Sequence, residues 1–483
     1  MSREVERWAA GCLLASFPGH QAPDWITRWL ERGLGGIVLF ADNVREPEQV
    51  AELTSALRGR RPDLVVAIDE EGGDVTRLEA ASGSSYPGNL ALGSVDDVEL
   101  TRAVAGAIAE ELRAAGVTLN LAPVADVNSN PRNPVIGVRA FGARPELVAR
   151  HVSAFVIGTQ ERGVAACAKH FPGHGDTALD SHLELPKVDD DRDELVAGPL
   201  LPFRAAVEAG VASIMTAHIL APALDSVPAT LSEPVVNGLL RRELGFDGAI
   251  ISDALEMKAI SAHVGIDEGA VCALAAGVDA LCIGHDVDDD TVERIHGALL
   301  QAVSSGRLRP ERLEEAAAAV ARLGGFTAAA GSNGAPLAPE IGAEAARQAI
   351  RVQGNVALEG SPLVVELEPP PLVAAGPAAH GLGSELSARR SASIVVSLNE
   401  RPEDPTEVVR SAEGRPLVLV MRDAARHAWQ RQVASDLIEL RADAVVVETG
   451  LPGWTASGVT AYIETFGSGR VNLAAAADLL IPR

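Results

Sequence analysis

Residues 235–253 read VVNGLLRREL (235–244), GFDG (245–248), AIIS (249–252) and then Asp253. The first ten place apolar residues at helical spacing, the next four are a glycine-bounded turn, and the following four are a short apolar run. A helix feeding directly into a wholly apolar strand is half of a βαβ unit, since a strand without a polar face must be covered on both sides. This strand ends on a carboxylate.

The same unit recurs along the first two thirds of the chain. Strands are expected at Cys12–Phe17, Gly36–Phe40, Val65–Asp69, Thr118–Val124, Val164–Lys169, Ala212–Ala217, Ala249–Ser252 and Asp279–Ile283. Helical patterns lie between them, as at Pro145–Glu161, Leu200–Ala209 and Thr291–Val303. Eight strand–helix units in one run fit a (β/α)8 TIM-type barrel of the α/β class. A doubly wound sheet is the alternative, but no GxGxxG or GxxxxGK[ST] motif supports nucleotide binding in one.

Residues 326–343 are rich in Gly, Ala and Pro, the composition of a linker. Beyond them a helix is expected at Glu344–Arg351. Strands follow at Leu363–Glu366, Ser393–Leu398, Leu417–Met421 and Ala444–Glu448, with helices at Pro405–Val409 and Trp429–Leu440. The organisation read from this is a catalytic barrel over 1–325, a linker over 326–343 and a smaller, sandwich-like α/β domain over 344–483. His380 and His427 stand alone in that domain and read as structural.

In a barrel the C-terminal ends of all strands meet on one face, where active sites are built. Asp69, Asp126, Lys169 with His170, His218 and Asp253 each fall at or just past such an end. Any one of them alone reads as a helix cap or loop residue; together they mark a site.

The chemistry concentrates in 169–182, Lys-His-Phe-Pro-Gly-His-Gly-Asp-Thr-Ala-Leu-Asp-Ser-His. Two uses are open. His170, His174, Asp176 and His182 could ligate a metal, but Pro172, Gly173 and Gly175 break the helix that the i,i+4 histidine spacing would need. Alternatively Asp180 and His182, two residues apart, sit on one side of an extended segment. A carboxylate there fixes the imidazole tautomer and suits it to proton transfer near neutral pH. At the barrel mouth, Asp253 has the position of a nucleophile, or of a plain helix cap.

Lys169–Asp176 with Asp180-Ser181-His182 closely resembles the signature of bacterial β-N-acetylglucosaminidases of glycoside hydrolase family 3. Ile68–Gly73, Ala122–Asp126, Ile136–Gly142, Met215–His218 and Ser252–Leu255 resemble further motifs of that family, in its order. The resemblance spans about residues 8–320. It implies a retaining mechanism with Asp253 as nucleophile and the His182–Asp180 pair as acid/base, where glycosidases usually use a second carboxylate. It also implies that Asp69 holds sugar hydroxyls, that Arg139, Lys169 and His170 contact the N-acetylglucosamine, and that Met215 lines its pocket; Asp126 and His218 join the substrate-binding set. The implied partner is a small N-acetylglucosamine-containing carbohydrate, as in peptidoglycan fragments or chitooligosaccharides, with no cofactor and no metal. Phosphorolysis on the same scaffold and a metal-dependent hydrolase are the alternatives. Glu70 stands where the family often has Gln, and Asp74 where it often has Arg. Both substitutions lead to the expectation of a more acidic site edge.

Composition bounds the rest. A net charge of −25 repels phosphate backbones and anionic membrane surfaces, and 3% aromatics leave little for stacking single-stranded nucleic acid. Neither nucleic acid nor membrane is an expected partner, and the oligomeric state stays open. Cys12, Cys167, Cys272 and Cys282 form no CxxC pair and lie in apolar runs, as buried free thiols do in a reducing compartment. The run Ala9–Phe17 is not followed by a small-residue cleavage site. The expected location is the cytoplasm. Only Lys169, Lys187 and Lys258 are lysine, so a lysine inside the histidine loop stands out.

Overall fold

The computed structural model of the chain describes residues 1–285, 287–327, 338, 340–376, 381–390, 392–410 and 414–481. His380 and most of the expected linker lie outside these residues. The chain divides into two compact units. The first comprises Met1–Glu71, Val98–Ile136 and Ala143–Leu337; the second comprises Gly72–Asp97, Gly137–Gly142 and Ala338–Arg483.

The first unit is the barrel. Its strands are β1 (Leu13–Ala15), β2 (Gly36–Leu39), β3 (Val65–Ile68), β4 (Leu119–Asn120), β5 (Ala165–Phe171), β6 (Ser213–Thr216), β7 (Ala249–Ser252) and β8 (Leu281–Cys282). Neighbours pair in parallel around the ring, with β8 beside β1, and a bridge between Ile251 and Ala280 joins β7 to β8. The interior is a packed apolar layer that includes Leu14, Val38, Val65, Leu121, Cys167, Met215, Ile251 and Cys282. Burial pushes the Cys12 and Cys167 thiols up to about 12, so they stay protonated; Cys272 is only half-buried.

The register of β5 on β6 breaks between Ala168 and Phe171. Lys169 and His170 occupy that irregular stretch. Breaks of this kind re-aim side chains next to sites.

The second unit holds a six-stranded sheet of β9 (Arg351–Gly354), β10 (Leu363–Leu367), β11 (Ile394–Leu398), β12 (Leu417–Met421), β13 (Val445–Glu448) and β14 (Ala461–Glu464). Its order is β11-β10-β12-β13-β14-β9, parallel except for the antiparallel edge β9. The parallel part is the doubly wound order 2-1-3-4-5. One face packs on helix Ala428–Leu440 through Val433, Ala434 and Leu437. The other packs on helices Leu382–Arg389 and Arg470–Leu480 through Leu382, Leu386 and Leu473. The result is an α/β sandwich.

Candidate active site

Asp253 is the first residue past β7. Its backbone N–H donates to the Thr216 carbonyl at 3.2 Å, and its Oδ1 accepts from the Ala254 N–H at 2.8 Å. Burial pushes its carboxyl up. The imidazoles of His218, His170 and His182, in that order, outweigh this and hold it below the ordinary carboxylate range. Asp253 is thus an ionised carboxylate facing three histidines that the sequence spreads over more than forty residues.

Each histidine is oriented by a different partner. His170 Nδ1 lies 2.7 Å from Asp126 Oδ2, and Asp126 Oδ1 accepts the backbone N–H groups of His170 at 3.3 Å and His174 at 2.6 Å. Asp126 is fully buried with both oxygens occupied, so it acts through the histidine segment. His218, also fully buried, bonds Thr230 Oγ1 at 2.8 Å through Nδ1 and the Ala254 carbonyl at 3.1 Å through Nε2. A carbonyl can only accept, so Nε2 carries the proton; burial lowers the pKa of the ring, against the pull of Asp253. His182 Nδ1 lies 2.6 Å from Asp180 Oδ1, which also accepts the His182 backbone N–H at 2.9 Å. Burial pushes Asp180 up, and its bonds to His182 overcome that and leave it below its usual value.

On the adjoining rim, Lys169 Nζ lies 2.5 Å from Asp69 Oδ1 and 2.8 Å from Glu71 Oε1. The lysine is 2% exposed and bridges two carboxylates across the ends of β3 and β5. Met215 faces the barrel interior and is packed in its apolar core. Arg139 closes the 3-10 turn Gly137–Arg139 in the second unit, where it is buried and its carbonyl accepts from Asn89 Nδ2 at 2.7 Å.

Glu71 and Glu256 join these networks without having been singled out in the sequence, and His174 and Gly175 take roles other than those read from it. Glu71 is 2% exposed and shares Lys169. Glu256, three residues past Asp253, accepts the Gly284 N–H at 2.9 Å; burial, with Asp253 adding to it, raises its carboxyl. His174 spends Nδ1 on Thr177 and Nε2 on Ser181. Gly175 is required because a Cβ there would collide with the Val127 carbonyl.

The histidine loop does not converge on one point as a ligand set would. His170, His174 and His182 each bond a different protein group, and among the described residues no group of three or more His, Cys, Asp or Glu side chains is placed to hold a metal ion. The expected acidic site edge is also corrected. Asp74 is 4% exposed and paired with Arg422, and it accepts the Ser468 N–H at 2.7 Å and hydroxyl at 3.0 Å. Its charge is buried and matched inside the second unit. Glu70 is likewise buried, its backbone tied to Asn120 on both sides.

Residues 18–323 match the model described as Glycosyl hydrolase family 3 N terminal domain. "Beta-hexosaminidase A" of Pseudoalteromonas piscicida is 38% identical over 317 residues, 60% of this chain and 53% of that protein, so the chain spans about half the length of this relative. "Beta-hexosaminidase" of Methylococcus capsulatus is 40% identical over 251 residues, 52% of this chain and 75% of that protein. Among solved structures, a glycoside hydrolase family 3 β-N-acetylglucosaminidase from Paenibacillus sp. superposes with a TM-score of 0.85 at 34% identity, covering 99% of this chain and 96% of that one.

Proposed function

The chain belongs to glycosyl hydrolase family 3, and from that premise we propose that it is a retaining exo-β-N-acetylglucosaminidase. The observation that carries the reading is Asp253, a carboxylate kept ionised among imidazoles on the face of the barrel where the His182–Asp180 pair also stands. The names of the relatives support a hexosaminide substrate.

In the first step an Asp253 carboxylate oxygen attacks the anomeric carbon as the glycosidic C–O bond breaks. The proton on His182 Nε2 passes to the departing oxygen. Asp180 holds Nδ1–H, fixing the tautomer and stabilising the imidazolium form that donates. In the second step the now neutral His182 takes a proton from water as that water attacks the glycosyl–Asp253 ester, and the carboxylate leaves with configuration retained. Asp69 and Lys169 present fixed, opposite charges to the sugar hydroxyls, with His170 oriented by Asp126. His218 acts on Asp253 electrostatically. Met215 completes the sugar-binding set, with the aglycone drawn from peptidoglycan fragments or chitooligosaccharides. The proposed location is the cytoplasm.

The test is trapping with an activated fluorinated N-acetylglucosaminide followed by peptide mass mapping. An adduct on Asp253 supports the reading, and an adduct on another residue overturns it. Product analysis with and without inorganic phosphate separates hydrolysis from phosphorolysis: free N-acetylglucosamine is expected in both, and N-acetylglucosamine 1-phosphate would replace the hydrolytic reading.

A further inference from the structure

The segment after β5 holds two histidines with different surroundings. His182 is 29% exposed on its side chain, and Leu179 and Leu183 beside it are 44% and 57% exposed. Between Asp180 and His182, Ser181 is 1% exposed. The two side chains proposed to move the proton are therefore carried by one buried residue.

Ser181 is held from two directions. Its carbonyl accepts the Ala259 N–H at 3.4 Å, in the short helix Lys258–Ser261 that follows Asp253. Its Oγ lies 3.0 Å from His174 Nε2. His174 is itself immobilised. Its backbone N–H donates to Asp126, its carbonyl accepts from Asn133 Nδ2 at 2.8 Å, and its Nδ1 lies 2.7 Å from Thr177 Oγ1. The Thr177 hydroxyl donates its single proton to the His174 carbonyl at 3.0 Å. His174 Nδ1–H must then donate to Thr177, which leaves Nε2 as the acceptor for the Ser181 hydroxyl. Burial lowers the His174 pKa to about 4, against the pull of Asp126, so the ring is neutral as this arrangement needs.

We propose that the Ser181–His174 hydrogen bond is the pin that sets the His182–Asp180 pair relative to Asp253. Ser181 and His174 are positioning residues in this scheme. The chain of contacts runs from Asp126 on the rim, through His174, to Ser181 and so to the pair, and from Ser181 directly to the β7 connection. A catalytic group displaced by about 1 Å loses about a hundredfold in rate, so one buried hydroxyl has leverage on a partly buried pair. The inference rests on the reading of His182 as the acid.

The test compares Ser181→Ala, Ser181→Thr and His174→Asn on aryl N-acetylglucosaminides with good and poor leaving groups. Ser181→Ala and His174→Asn are expected to lower kcat/KM about 10–100-fold for the poor leaving group and less than about threefold for the good one. Ser181→Thr, which keeps the hydroxyl, is expected to recover most of the loss. Equal losses on both substrates, or none, overturn the pin. The second readout needs no turnover: the His182 imidazole nitrogens, followed by NMR on histidine-labelled protein, should lose the signature of the Nδ1–Asp180 bond in Ser181→Ala. An unchanged signal overturns the proposal. If His182→Ala itself lowers both substrates equally, the acid assignment fails, and the NMR result alone judges the pin.

Discussion

Lys169 Nζ lies 2.5 Å from Asp69 Oδ1, joining the ends of two barrel strands from positions 100 residues apart. Glu71 takes a second position on the same ammonium. Removing the lysine leaves two carboxylates together in a poorly hydrated rim, and stranding buried charge costs about 3–5 kcal/mol. Lys169→Met should therefore lower the urea midpoint steeply. Lys169→Arg should not restore it, because a planar fork does not replace a compact point charge between two facing carboxylates. Recovery by arginine would show that charge alone matters here.

The His182–Asp180 bond predicts a leaving-group signature. With Asp180→Asn the imidazole loses the partner that fixes its tautomer and stabilises its charged form. Cleavage of aglycones with a high pKa should slow by about 10²–10⁴-fold, while aryl glycosides with strongly acidic phenols change little. His182→Ala should behave in the same way, and the double variant no worse than either single one. A flat dependence on leaving-group pKa in Asp180→Asn, with both kinds of aglycone slowed equally, would contradict this.

Asp74 and Arg422 form a buried pair within the second unit, 348 residues apart in the chain. Asp74→Asn and Arg422→Met should each destabilise the protein by about 3–5 kcal/mol. The double variant should cost less than the two together, with a coupling of about 1–3 kcal/mol in a double-mutant cycle. Simple additivity would mean that the pair does not act as one.

That pair marks where sequence reading stops. The eight barrel strands were legible because each is buried on both faces, so its apolar run is continuous; Ala249–Ser252 falls on the same four residues in sequence and structure. The end residues Asp253, Lys169 and Asp126 were legible for the same reason, as polar groups interrupting such runs. The strand Ala461–Glu464 and the helix Arg470–Leu480 went unread. The first is only four residues long, and the second is alanine-rich and mostly buried, without the polar face that gives a helix its period. Asp74 reads as a bare acidic substitution until its partner at 422 is known. His174 reads as a metal ligand by residue type alone, and only the position of Ser181 reveals a neutral ring used as a brace.

The same neutral ring makes stability depend on pH in a defined window. In the unfolded chain His174 titrates at its ordinary 6.5, and in the native state burial lowers it to about 4. Above 6.5 the ring is neutral in both states and contributes no slope. Between 6.5 and about 4 the unfolded chain binds a proton that the native one does not, so stability falls as pH falls, by about 3 kcal/mol across the window. His218, also lowered by burial, acts in the same direction. Asp180 and Asp253, held below 3.8, stabilise the native state above that value and lose this only as pH drops further. Urea unfolding measured from neutral pH down to about 4 should show this decline, and His174→Gln should flatten it by close to one proton even if its stability is lower throughout. An unchanged slope in that variant would assign the titration to another group.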